Sequence, residues 1–215
     1  MFDLDPDLGR QRPLKLLALG AHADDVEIGA GGTLLRLLAE RPQTEVMWAV
    51  LTASEARERE ARASADALLA GAARVTYAFG SFRDGHLPFA GSALKDWAAE
   101  HLAPFRPDLV LVPGRDDLHQ DHRAAAALAW QTFRGATIAE VEIPKWDGDT
   151  GRPNAFVRLS NATVEAKVNH LMAHFPSQRS KGWYDAGTFR ATLRLRGVEC
   201  GARWAEAFTC RKLAW

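Results

Sequence analysis

Apolar residues come in two rhythms along this chain. Short, nearly continuous runs stand at 14–20 (LKLLALG), 45–51 (EVMWAVL), 74–79 (RVTYAF), 108–112 (DLVLV) and 137–143 (TIAEVEI). Runs of this length and kind read as strands buried on both faces. Between them lie segments with helical spacing at 29–40, 54–71, 92–103 and 121–134. Leu34, Leu35 and Leu38 fall on one face of the first, and Ser54 and Gly71 bracket the second as start and stop signals.

Strand and helix therefore alternate from residue 14 to 143. That order predicts a parallel sheet with helices on both faces, a Rossmann-like, doubly wound α/β fold with strand order 3-2-1-4-5. After Pro144 the texture changes. Residues 145–160 read as loop, 162–174 and about 186–196 as helices, and the C-terminal segment contains WAEAFTCRK. The expectation is one domain over 1–215: an irregular arm at 1–13, a core at 14–143, and an extension at 144–215 that folds over the active-site edge and shapes a pocket.

A chain of 215 residues is long enough to bury a sizeable core without covalent staples. Lys and Arg (27) balance Asp and Glu (27), so no long-range field draws the chain to nucleic acid or an anionic membrane. No apolar run has the length of a membrane span, and the first residues lack the pattern of a signal peptide. Cys200 and Cys210 match neither a disulfide framework nor a CxxC site and read as packing thiols. These features point to a cytoplasmic protein without stable membrane insertion, and leave homo-oligomerisation open.

Chemistry concentrates in two clusters. Ala21-His22-Ala23-Asp24-Asp25-Val26-Glu27-Ile28-Gly29 follows the first strand, and Asp116-Asp117-Leu118-His119-Gln120-Asp121-His122 follows the fourth. In strand order 3-2-1-4-5 those strands are neighbours, and the crevice at their C-terminal ends is where such sheets bind ligands. Two histidines and a carboxylate suit a catalytic zinc with one position left for water, and a neighbouring carboxylate can accept a proton.

These residues resemble the LmbE-like family of zinc deacetylases, which includes the N-acetylglucosaminyl-phosphatidylinositol deacetylases (PIG-L) and the deacetylases of mycothiol and bacillithiol synthesis. The likeness extends to Arg57 with Glu60, to Phe82-Arg83-Asp84-Gly85, and to Trp204-Ala205-Glu206-Ala207-Phe208. The family often has proline at the position of Ala23 and tyrosine at that of Trp204. The resemblance implies His22, Asp25 and His122 as Zn2+ ligands and Asp24 as general base. It further implies a protonated His119 that stabilises the oxyanion, with Asp121 holding His119 charged and oriented. The reaction implied is hydrolysis of the acetamide of an N-acetylglucosamine-type sugar or conjugate, releasing acetate.

Arg57 is expected to contact the substrate, on the strength of the resemblance. Lys145, Trp146 and Asp147 are read as lining the pocket mouth, where an aromatic ring suits the apolar face of a small-molecule amino sugar. His170 and His174 have helical metal-binding spacing but no third ligand, and read as packing residues. Gly29-Ala30-Gly31-Gly32 departs from the dinucleotide fingerprint and reads as close helix–strand packing. Two other functions use the same residues: a non-haem iron enzyme with a two-histidine, one-carboxylate site, and a sugar- or nucleotide-binding module without catalysis.

Overall fold

The computed structural model describes residues 12–213, so most of the expected N-terminal arm lies outside the described residues. Its strands are β1 (Lys15–Gly20), β2 (Glu45–Val50), β3 (Arg74–Phe79), β4 (Leu109–Pro113), β5 (Thr137–Val141), β6 (Ala155–Arg158) and β7 (Ala205–Cys210). Its helices are α1 (Asp25–Glu40), α2 (Glu55–Leu68), α3 (Gly91–His101), α4 (Gln120–Thr132), α5 (Asn161–His174) and α6 (Ala186–Glu199). They build one sheet in the order β3-β2-β1-β4-β5-β7-β6. The first five strands are parallel, and β7 and β6 add an antiparallel edge.

The expected α/β class and the 3-2-1-4-5 order are present, and the sheet is longer by two strands. The extension does not simply fold over the sheet; it completes it. Its two strands were hidden for different reasons. AFVR is four residues at a half-buried edge, too short to show a period. AEAFTC does not alternate, being buried at its first four positions, and it follows a helix, so the pattern alone cannot place it.

The sheet separates two cores. Leu16 and Ala18 of β1 face one, with α1, α5 and α6; Leu17 and Leu19 face the other, with α4. A strand covered on both faces must be apolar throughout, which is why LKLLALG does not alternate. Helices α1 and α4 leave neighbouring strands toward opposite faces, so the crevice between β1 and β4 opens at the switch point.

Helix α1 packs unusually close to its surroundings. A Cβ on Gly29 would stand 2.5 Å from Cβ of Val141. A buried ion pair is set into the helix backbone: Lys167 Nζ donates to the Ile28 carbonyl at 2.6 Å and to Glu206 at 2.5 Å. Glu206 in turn accepts from the amides of Gly32 and Thr33 at 2.8 and 2.6 Å. Burying two ions is costly unless their hydrogen bonds are satisfied, and here four contacts from α1, α5 and β7 satisfy them. The pair ties the body of α1 to α5 and β7, and α1 begins at the site.

Candidate active site

The chain leaves β1 at Gly20 and turns through His22 into α1. The Asp25 side chain, at the first turn, accepts from the His22 amide at 2.9 Å and so sets that turn. Across the crevice the chain leaves β4 and enters α4 at His119. Helix α4 begins at Gln120 and its cap is His119, whose Nδ1 accepts from the Asp121 amide at 3.2 Å.

The two turns bring the histidines together. His22 Nδ1 and His122 Nε2 are 3.2 Å apart. Oδ1 of Asp25 lies 3.5 Å from the first and 3.3 Å from the second. A tetrahedral zinc with nitrogen and oxygen donors at about 2.0–2.1 Å separates them by about 3.3–3.4 Å. The donor triangle of His22, Asp25 and His122 therefore fits a zinc-sized cation with one face open. His119 stands beside it, its ring centroid 4.7 Å from those of His22 and His122.

Charge makes the same demand. Burial pushes both ligand histidines toward neutrality, yet the surrounding carboxylates, Asp25 foremost, more than reverse this. His22 is lifted well above its usual value and His122 is lifted to about 9. For Asp25, burial raises the pKa, and His122 and His22 overcome it to hold the carboxyl well below its usual range. A site this acidic favours positive charge, which a divalent cation would supply in place of the two protons.

The histidines are held from behind. His122 Nδ1 stands 2.8 Å from Oδ2 of buried Asp117. Oδ1 of Asp117 accepts from the His119 amide at 2.7 Å and from Lys145 at 2.9 Å. A carboxylate behind a ligand histidine fixes tautomer and ring angle. Asp117 belongs to the second sequence cluster, and its role emerges only from the fold. The signal was its place five residues before His122.

The far nitrogen of His22, Nε2, faces Asp84 at 3.1 Å and Asp121 at 3.5 Å. Asp121 is fully buried and accepts from the amides of Gly85 at 2.6 Å and Leu87 at 3.0 Å. Gly85 has φ of 77°, which lets the chain bend over that carboxylate. The expectation that Asp121 orients His119 is thus corrected. Its oxygens are used by this loop and by His22, and only its backbone amide meets the His119 ring. Burial, then His22 and His122, hold the His119 pKa below the usual value, and its Nδ1 already accepts a hydrogen bond. With Nδ1 accepting from the Asp121 amide, Nε2 is the nitrogen placed to donate.

Asp24 is buried at the N-terminus of α1. Arg57 of α2 donates to its Oδ1 at 2.6 Å. The other guanidinium nitrogen binds Glu60 at 2.7 Å and Ser177 at 2.9 Å. Burial pushes the Asp24 carboxyl up; the Arg57 charge opposes this without cancelling it. Arg57, expected to contact substrate, is instead committed to protein groups and touches the expected base directly.

Lys145, expected at the pocket mouth, is also corrected. Its side chain is buried, with Nζ bound to Asp117 and Asp149 and 3.7 Å from Asp147. Trp146 does face solvent, 71% exposed, with its ring centroid 6.3 Å from that of Trp183. His170 and His174 stack on each other, and His170 Nε2 meets Oγ of Ser64 at 2.8 Å; that hydroxyl also donates to Glu27.

The chain belongs to the PIG-L family: the family model described as GlcNAc-PI de-N-acetylase matches residues 17–133. Among solved structures it resembles the conserved protein TT1542 from Thermus thermophilus, with 26% identity, coverage of 94% of this chain and 96% of that one, and a TM-score of 0.72. It also resembles the N,N'-diacetylchitobiose deacetylase from Pyrococcus horikoshii, with 23% identity, coverage of 97% and 87%, and a TM-score of 0.69. A third is the 4-carboxy-2-hydroxymuconate hydratase from Pseudomonas putida, with 18% identity, coverage of 94% and 98%, and a TM-score of 0.68. A hydratase and a deacetylase share this fold, so the reaction must be argued from side chains. No described helix is long and apolar enough to cross a membrane.

Proposed function

We propose that this protein is a zinc-dependent N-deacetylase that hydrolyses the acetamide of an N-acetylglucosamine-type sugar or conjugate, releasing acetate and a free amine. The observation that carries this reading is the donor triangle of His22, Asp25 and His122 with the buried carboxylate of Asp24 one residue away. A zinc ion held by that triangle supplies Lewis acidity at neutral pH.

The chain's own groups do the rest. Arg57 holds Asp24 through Oδ1, which leaves Oδ2 without a hydrogen bond among the described residues. That oxygen accepts the proton of the attacking water. Arg57 keeps the carboxylate ionised, while burial keeps it basic enough to act. Water adds to the amide carbon, and the carbonyl oxygen gains charge. The Nε2–H of His119 donates to that oxygen, stabilising charge where it develops. The C–N bond then breaks, and the proton held by Asp24 passes to the departing amine.

Asp24 also separates this reading from its rivals. An iron oxygenase needs open positions for oxygen and has no use for a buried base beside the ligands, and a binding module needs no base at all. The test is acetate release from N-acetylglucosamine and its glycosides by the purified chain, after chelation and after zinc is restored. Activity that disappears with chelator, returns with zinc and needs no oxygen supports the deacetylase. Dependence on oxygen and ferrous iron, or sugar binding without turnover at any metal loading, overturns it.

A further inference from the structure

The run Gly29-Ala30-Gly31-Gly32 opens the backbone of α1 just beyond the site, and two ions use the opening. In a regular α-helix the Gly32 amide and the Ile28 carbonyl are the two ends of one hydrogen-bonded rung. Here each end also meets a charge. Glu206 Oε1 accepts from the Gly32 amide at 2.8 Å, and Lys167 Nζ donates to the Ile28 carbonyl at 2.6 Å. The two side chains meet at 2.5 Å, and the second oxygen of Glu206 accepts from the Thr33 amide at 2.6 Å. The ion pair therefore straddles a rung of the helix.

The glycines make this approach possible. A Cβ on Gly31 would lie 3.5 Å from Cγ of Lys167. A Cβ on Gly32 would stand 3.1 Å from Oε1 of Glu206 and 2.6 Å from Cδ1 of Leu159. From the rung to the base is one step, because the Ile28 amide donates to the Asp24 carbonyl at 3.0 Å. Lys167 of α5 and Glu206 of β7 belong to the extension, whereas Asp24 and Asp25 belong to the core.

Stability does not account for the pair. Two apolar side chains of similar volume commonly serve a core as well as a buried ion pair, or better. Apolar contacts lack direction, however. Hydrogen bonds to particular backbone atoms hold α1 in one rotation and one axial position.

We propose that Lys167 and Glu206 are positioning residues for the reaction, holding the first turn of α1 so that Asp24 and Asp25 meet the crevice in the productive geometry. The inference rests on the deacetylase reading and adds the residues that keep its base and one of its ligands in place.

The test is the double variant Lys167→Met/Glu206→Met. It removes both charges at once, so neither is left buried and unpaired, and the rung is left to the helix alone. Tm, zinc affinity by competition with a chelator, and kcat and KM for N-acetylglucosamine at saturating zinc are measured on one preparation. The expected result is a Tm close to or above the native value. Zinc affinity should be about ten-fold lower, and kcat about 10- to 100-fold lower with KM unchanged. A pair that served stability alone would leave kcat native in a variant this stable. A double variant that melts near the native temperature and turns over at the native rate overturns the proposal.

If the double variant does not fold, Gly32→Ala is read in its place. It keeps both charges, and its methyl presses on Glu206 and Leu159. A lower kcat at unchanged KM supports the proposal, and a native kcat overturns it. If the native chain releases no acetate, the deacetylase reading fails and zinc affinity decides alone: about ten-fold weaker binding by the double variant supports the positioning of Asp25, and unchanged binding overturns it.

Discussion

The guanidinium of Arg57 lies 2.6 Å from Oδ1 of Asp24, and this contact sets the charge of the proposed base. Burial raises the Asp24 pKa; Arg57 is the main force lowering it. Removing Arg57 must therefore raise it further. Arg57→Gln should shift the acid limb of the kcat/KM profile to higher pH. At neutral pH it should cost roughly 10- to 100-fold in rate, part of the ~10²–10⁴ that a positioned base contributes. An unmoved acid limb would mean that the limb belongs to another group.

Asp117 predicts a metal phenotype. It holds His122 from behind and is itself held by Lys145. Asp117→Asn should weaken zinc binding about 10- to 100-fold, as losing the carboxylate behind a ligand histidine commonly does. Competition against a chelator of known affinity measures this. Unchanged affinity would show that the hydrogen bond contributes nothing to the ligand set.

Much of this arrangement is legible in the chain. The doubly wound class follows from the alternation of apolar runs and helices, and the order 3-2-1-4-5, a common one in that class, puts His22 and His122 at one crevice although they lie 100 residues apart. What escapes the sequence depends on partners that only tertiary structure supplies. Lys145 beside Trp146 in a Gly- and Asp-rich stretch looks exposed, yet Asp117 and Asp149 draw it inside. Asp121 stands two residues from His119, but the loop at Gly85 and Leu87, more than 30 residues earlier, claims its carboxylate. Arg57 has a charge that suits a substrate and spends it on Asp24.

A packing test comes from Gly29. Because its Cβ would meet Val141 at 2.5 Å, Gly29→Ala must push α1 away from β5. The expected loss is about 1–3 kcal/mol, the range for overpacking a tight core. A lower Tm checks it; an unchanged Tm would show that α1 has room to move.

His170 gives a pH dependence of stability. Burial, then His174, pushes its pKa down to about 4, against about 6.5 unfolded. Above pH 6.5 the ring is neutral in both states and costs nothing. As pH falls from 6.5 toward 4, only the unfolded chain takes up the proton, so this residue's contribution drops. Glu27, whose carboxyl burial raises well above its usual value, titrates in the opposite sense, because its contribution is lost as pH rises. The informative quantity is therefore the difference in unfolding free energy between the native chain and His170→Gln. That difference should move in favour of the variant between pH 6.5 and 4. A constant difference would contradict the assignment.

In the proposed reaction Asp24 is the base beside a metal held by other residues. Its most direct test is Asp24→Asn, with zinc content and acetate release measured on the same preparation. The account predicts zinc bound at the native stoichiometry and kcat reduced by about 10²–10⁴. Acetate release at the native rate by the zinc-loaded variant would contradict it.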